Sequence, residues 1–212
     1  MCFHSKQSKS AQELENRFKI PVKKTLVLKP SEYNGFEHPM TPVISSAEPN
    51  IIQLFQWGLI PSWAKDTSIQ KNTLNAKSET LHEKPAFKNV QHQRCLVIAD
   101  AFYEWQWLDS KGKEKQKYEL TMPSNELFAF AGIWSDWINP VTHEKRSTYA
   151  ILTAEANELM QKIHNTKKRM PLIVAREHED AWLKTGISKF DNDKLIANKT
   201  GEIFGNLFDS LF

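Results

Sequence analysis

The apolar positions of this chain fall into short runs divided by polar stretches. Most runs are rich in the β-branched and aromatic residues that favour strands. "TLVLK" (25–29), "IIQLFQWGLI" (51–60), "CLVIADAFYEWQWL" (95–108), "KYELTM" (117–122), "LFAFAGIWSDWI" (127–138), "STYAILT" (147–153) and "MPLIVA" (170–175) all read as strands. In "LFAFAGIW" both alternating faces are apolar, which predicts a strand buried on two sides. Helical signals are fewer. Ser10 and Glu13 form a Ser-x-x-Glu capping box opening a helix through about Phe18. "PAFKNVQHQ" (85–93) suggests a second short helix, "AEANELMQKIH" (154–164) a third capped by Thr153, and "HEDAWLK" (178–184) a fourth. The polar, aperiodic stretch 61–80 predicts a long ordered loop, a feature more often functional than idle in a compact domain. Many strands with few helices between them predict an α+β fold. We expect a single compact β-rich domain over 1–212, with a curved, barrel-like, mostly antiparallel sheet and a few short helices.

Composition narrows the setting. A chain of 212 residues can bury a substantial core, and 40% apolar with 25% charged residues is ordinary for a globular enzyme. No run reaches the ~20 apolar residues of a membrane helix, and the start lacks the apolar stretch of a signal peptide. Two cysteines are too few for a disulfide framework, so a reducing, cytoplasmic setting is expected. His4, His38, His82, His92, His143 and His178 show no metal-ligand spacing, and neither a metal nor another cofactor is expected. Net charge is only +3, but it is unevenly spread. No acidic residue lies between Met160 and Ala175, where Lys162, Lys167, Lys168 and Arg169 all fall. Lys65, Lys71, Lys77, Lys84, Lys88 and Arg94 likewise outnumber Asp66, Glu79 and Glu83. Such a distribution is either a solvated lysine-rich surface or the footprint of a polyanion.

Five residues could carry chemistry or binding, and each has a plainer reading. Cys2 follows Met1, and methionine excision would leave a 1,2-aminothiol whose amine titrates near ~7.7 to 8.0. That amine can condense with an aldehyde and the thiol can close on the imine as a thiazolidine. The thiolate could instead act as an acyl-transfer nucleophile. The plainer reading is an incidental cysteine on a frayed end. Glu104, in "AFYEW", is either solvent-facing or a buried carboxyl of raised pKa. His164 is either a helix C-terminal cap or a proton shuttle. Asn75 either satisfies a turn or donates to a sugar hydroxyl or oxyanion. Trp63, beside Pro61, is either core or a base-stacking platform.

Taken together, "MC", "WGLIPSWAKD", "NAKSET", "CLVIADAFYEW" and "LTAEAN…IHNTKKRMPLIV" resemble the SRAP family of SOS response-associated peptidases, or abasic-site processing proteins. The matches run in order from Cys2 to about Ala175, the motif-bearing part ending near 184. The tail 185–212 adds nothing to the resemblance and reads as packing. The resemblance implies removal of Met1 and a stable thiazolidine crosslink between Cys2 and an abasic site in single-stranded DNA. That crosslink shields the lesion in the DNA damage (SOS) response. Cys2 would be the nucleophile, Asn75 would orient the terminus and the opened sugar, and Glu104 and His164 would move protons. Lys77, Ser78, Trp63, Lys65, Asn34, Lys168 and Arg169 would contact the DNA. The implied protein is a monomer without a membrane partner, cytoplasmic and nucleoid-associated when bound to DNA. Alternatives are a cysteine-type peptidase acting through Cys2, or a non-covalent reader of damaged or modified single-stranded DNA. Three departures stand out: Phe3 and His4 follow Cys2 where many members read Gly-Arg, Lys77 stands where many have Arg, and "YNGFEHP" only loosely echoes their Asn-x-Ala-Pro loop.

Overall fold

The computed structural model describes residues 2–204. In chain order the elements are β1 (His4–Gln7), α1 (Ala11–Phe18), β2 (Ser31–Asn34), β3 (Met40–Ser45), β4 (Gln53–Trp57) and β5 (Asn75–Lys77). These are followed by β6 (Arg94–Ala99), β7 (Ala101–Trp107), β8 (Lys115–Thr121), β9 (Phe128–Ile138) and β10 (Lys145–Glu155). The chain then forms α2 (Glu158–Ile163), β11 (Arg169–Pro171), β12 (Ile173–Val174), α3 (Glu179–Thr185) and β13 (Ile196–Phe204).

One sheet closes on itself. β10 pairs with β4, β4 with β3, β3 with β6, β6 with β9, and β9 returns to β10, giving a five-stranded barrel. Most of these pairs are antiparallel, while β4 and β5 both run parallel to β10. β9 explains why its run is apolar throughout. Phe128 and Phe130 face one core cluster, with Trp57, Cys95, Tyr149 and Ile151, while Ala129, Ala131 and Ile133 face another. That second cluster takes in Leu14 of α1 and Trp182 and Leu183 of α3. The other sheet is antiparallel, in the order β13-β8-β7-β1-β2. Asp100 forms the corner between the two sheets. Its carboxylate accepts from the Ser8 backbone N–H and hydroxyl, and its own N–H donates to the Lys6 carbonyl.

The capping box forms as expected. Glu13 accepts from the Ser10 N–H at 2.7 Å, and Lys19 ends α1 in the left-handed region. Four expectations need correction. Residues 25–29 form no strand: both barrel edges of β3 are taken by β4 and β6, and Val27 is 76% exposed. Residues 85–93 make successive i→i+3 turns and no helix, because Phe87 and Val90 are pinned three residues apart against the barrel. Thr153 caps nothing, since β10 continues to Glu155 and Asn157 caps α2 by accepting from Met160 N–H at 3.0 Å. "MPLIVA" is two strands: Leu172 bonds Leu152 with its N–H and Ala131 with its carbonyl, and so crosses between β10 and β9. The 61–80 segment is ordered by two 3₁₀ turns and by β5. Of the tail, β13 pairs with β8 and Asn192 is buried, while residues 205–212 lie outside the described residues. Among the described residues no helix is long and apolar enough to cross a membrane.

Candidate functional site

Cys2 lies two residues ahead of β1, which runs between β2 and β7. Its side chain is completely buried, and the thiol donates to the His4 carbonyl at 3.8 Å. Burial, reinforced by the negative charge of Glu104, pushes the thiol well above its usual range. Cys2 is therefore packed into the core rather than frayed.

Asn75 opens β5, beside Ile151 of β10. Its Nδ2 donates to the Cys2 carbonyl at 2.8 Å. The Oδ1 of the same amide is buried with no donor among the described residues, so one end of Asn75 holds the chain terminus and the other is available to accept. Glu104 lies on β7, opposite Tyr118, and is 4% exposed. Burial pushes its carboxyl up to about 7. Such a group exchanges its proton readily at neutral pH, where general acid–base catalysis works best.

His164 follows α2 and is nearly buried. Burial is the main cause that lowers its imidazole to about 4, so the ring is neutral near pH 7. Its Nδ1 lies 2.9 Å from the Arg169 carbonyl and 3.2 Å from the Arg169 N–H. The end of α2 is stitched to β7: Gln106 Nε2 donates to the Lys162 carbonyl at 3.0 Å. Asn165 exchanges two hydrogen bonds with the Trp107 backbone, at 3.1 and 2.9 Å. These bonds hold His164 and Glu104 on neighbouring elements, whereas the sequence alone places them 60 positions apart. Among the described residues no three His, Cys, Asp or Glu side chains converge on a metal position.

The expected DNA-contacting residues divide into two groups. Trp63 is 54% exposed and lines an open pocket of about 440 Å³ with Lys65, Lys71 and Asn72. Lys77 and Lys168 are also exposed. The other three have their polar groups engaged in bonds within the protein. Asn34 accepts from the Phe36 N–H and donates to Glu37. Ser78 donates to the Thr153 carbonyl at 3.1 Å. Arg169 makes a two-pronged ion pair with Glu79, at 2.8 and 2.9 Å, and donates to the Thr153 carbonyl at 2.6 Å. Two supporting groups escaped the sequence reading, Glu79 and Asn165. The trace of Glu79 was an acid in a segment where lysines outnumber acids.

Comparison with known proteins gives consistent matches. Abasic site processing protein YoaM of Bacillus subtilis (strain 168) is 44% identical over 144 residues, 66% of this chain and 60% of YoaM. Abasic site processing protein HMCES of Gallus gallus is 33% identical over 157 residues, 63% of this chain and 45% of HMCES. The chain thus spans less than two thirds of the length of these relatives. A crystal structure of a protein from Bacteroides thetaiotaomicron superposes with a TM-score of 0.83 at 32% identity, over 93% of this chain and 91% of that one. The family description "SOS response associated peptidase (SRAP)" matches residues 1–203. This chain belongs to the SRAP family.

Proposed function

We propose that the protein processes abasic sites by covalent capture in single-stranded DNA, through the amine and thiol of Cys2 once Met1 has been removed. The single observation behind this reading is the Asn75 hydrogen bond to the Cys2 carbonyl, which fixes the reactive residue beside Glu104. The names of YoaM and HMCES as abasic site processing proteins support the same lesion class.

The chemistry divides among these groups. An abasic sugar is mostly a closed hemiacetal, so exposing its aldehyde requires proton transfers at the ring oxygen and the anomeric hydroxyl. Glu104, titrating at about 7, can give or take a proton there, and neutral His164 can accept one. The Cys2 amine attacks the aldehyde carbon and one water leaves, forming an imine. The sulfur then bonds to the imine carbon while the thiol proton passes to nitrogen, which closes the thiazolidine. Ring closure outruns strand scission because the thiol is tethered, and tethering gives a high effective molarity. The buried thiol favours this order, amine first and sulfur second. It also weighs against a peptidase that would need a thiolate at the outset. Exposed Lys77, Lys168 and Lys65, with Trp63, would meet the strand by charge and stacking. Asn34 and Arg169 would contact it only through N–H groups left over from their internal bonds, while the one hydroxyl proton of Ser78 is already given to the Thr153 carbonyl. The setting we propose is cytoplasmic.

The test is a denaturing gel with intact-mass analysis. Protein with free Cys2 is mixed with a single-stranded oligonucleotide carrying one abasic site, beside Cys2→Ala and an undamaged strand. A heat-stable adduct of protein plus DNA minus one water, needing both lesion and Cys2, is the expected result. No adduct from protein of confirmed mass would overturn the reading.

A further inference from the structure

Arg169 joins the two sides of the site. Its backbone brackets the ring of His164, with the carbonyl 2.9 Å and the N–H 3.2 Å from Nδ1. Its guanidinium, with the side chain only 11% exposed, reaches in the other direction. There Nη1 and Nη2 clasp the two oxygens of Glu79 at 2.8 and 2.9 Å. Glu79 sits in the 3₁₀ turn Ser78–Thr80, directly after β5, the strand that carries Asn75. Nη2 also donates to the Thr153 carbonyl and lies 3.2 Å from its hydroxyl. The same Thr153 carbonyl accepts from Ser78, and Thr153 stands beside Lys77 in the β5–β10 pairing. One side chain therefore ties the turn after Asn75 to the residue that cradles His164.

We propose that Glu79 is a positioning residue: by holding the Arg169 fork it fixes the ring of His164 relative to the strand of Asn75. This role rests on the covalent-capture reading above. A freely solvated ion pair would contribute little. Here the geometry is two-pronged and one partner is largely desolvated, and both features strengthen a pair. The bond from Arg169 lowers the Glu79 carboxyl, so Glu79 is ionised and the clasp is closed at neutral pH. Without Glu79, the guanidinium loses its charge partner while its Nε–H is already buried with no acceptor among the described residues. The guanidinium is then held by Thr153 alone and is free to turn toward water, which loosens the backbone that contacts His164 Nδ1.

The test uses the full chain with Glu79→Ala and Glu79→Gln, read three ways. Ring ¹⁵N shifts of His164 across pH report its tautomer and titration midpoint. Single-turnover kinetics report adduct formation, and binding of an undamaged strand reports DNA contact. For Glu79→Ala we expect changed His164 ring ¹⁵N shifts and a midpoint raised from about 4. Adduct formation should slow at least about tenfold, as for a misplaced catalytic group, with undamaged-strand affinity unchanged. Glu79→Gln, which keeps an acceptor oxygen, should fall between and remains informative if the alanine variant unfolds. Unchanged His164 spectra in a folded variant would overturn the proposal. So would a several-fold rise in undamaged-strand affinity at an unchanged rate, which would make Glu79 a shield over a DNA-binding arginine. If the unmodified protein forms no adduct, covalent capture fails, while the His164 spectra still decide the positioning role.

Discussion

Asn75 Nδ2 holds the carbonyl oxygen of Cys2 at 2.8 Å, joining the first residue of β5 to a residue just before β1 across 73 positions of sequence. Removing a buried donor leaves its acceptor unsatisfied, at about 1 to 3 kcal/mol. Asn75→Ala is therefore expected to slow adduct formation by about ten- to a hundredfold in single-turnover assays. Asn75→Asp should not rescue the rate, because a carboxylate accepts but cannot donate. An unaffected rate in either variant would mean the bond is structural only.

Cys2→Ser keeps the amine and replaces sulfur with a weaker ring-closing atom. The heat-stable adduct should disappear, while borohydride reduction should still trap an imine to the lesion. As much heat-stable adduct from serine as from cysteine would falsify the thiazolidine step.

Glu104 and His164 carry opposite pH signatures. Glu104 is raised from 4.5 to about 7, so the folded state holds the proton more tightly and stability declines as pH rises across that window. The loss is on the order of 3 kcal/mol at most, and Glu104→Gln should abolish it. The variant should also lose any break near pH 7 in the rate profile of adduct formation. His164 is lowered from 6.5 to about 4, so the unfolded chain binds protons first and stability falls as pH drops through that window. Chemical denaturation from pH 4 to 8 on the Glu104→Gln protein isolates this second limb. A pH-independent stability there would contradict the buried neutral imidazole.

Gly58 has φ +108, and an added Cβ would lie 2.8 Å from His38 Nδ1 and 3.1 Å from the Gln70 carbonyl. His38 Nδ1 itself is 2.9 Å from the Trp57 carbonyl, so it has little room to retreat. Gly58→Ala should destabilise the fold by roughly 1 to 3 kcal/mol, read as a lowered denaturation midpoint.

Local chemistry made much of the fold legible. The two apolar faces of β9 correspond to two cores, and Ser10 with Glu13 fixed the start of α1. What escaped depended on distant partners. The run 25–29 has strand composition but meets no free edge, and Thr153 is claimed by β5 and β11 before it can cap a helix. At the site, Cys2, Asn75, Glu104 and His164 stood out as residue types. The internal commitments of Asn34, Ser78 and Arg169 did not, because Arg169 and its Glu79 partner lie 90 positions apart.

The first strand of the chain is an inner strand of its sheet, bonded on both edges, and Cys2, just before it, has no exposed surface. Any enzyme that trims the chain in front of Cys2 needs slack, extended polypeptide in its own active site. If Cys2 is freed by such an enzyme, as the covalent-capture reading requires, trimming would compete with the slotting of β1 between β2 and β7. A protein that folds with its leading methionine in place would stay unprocessed, and slowing synthesis or co-producing the trimming enzyme should raise the processed fraction.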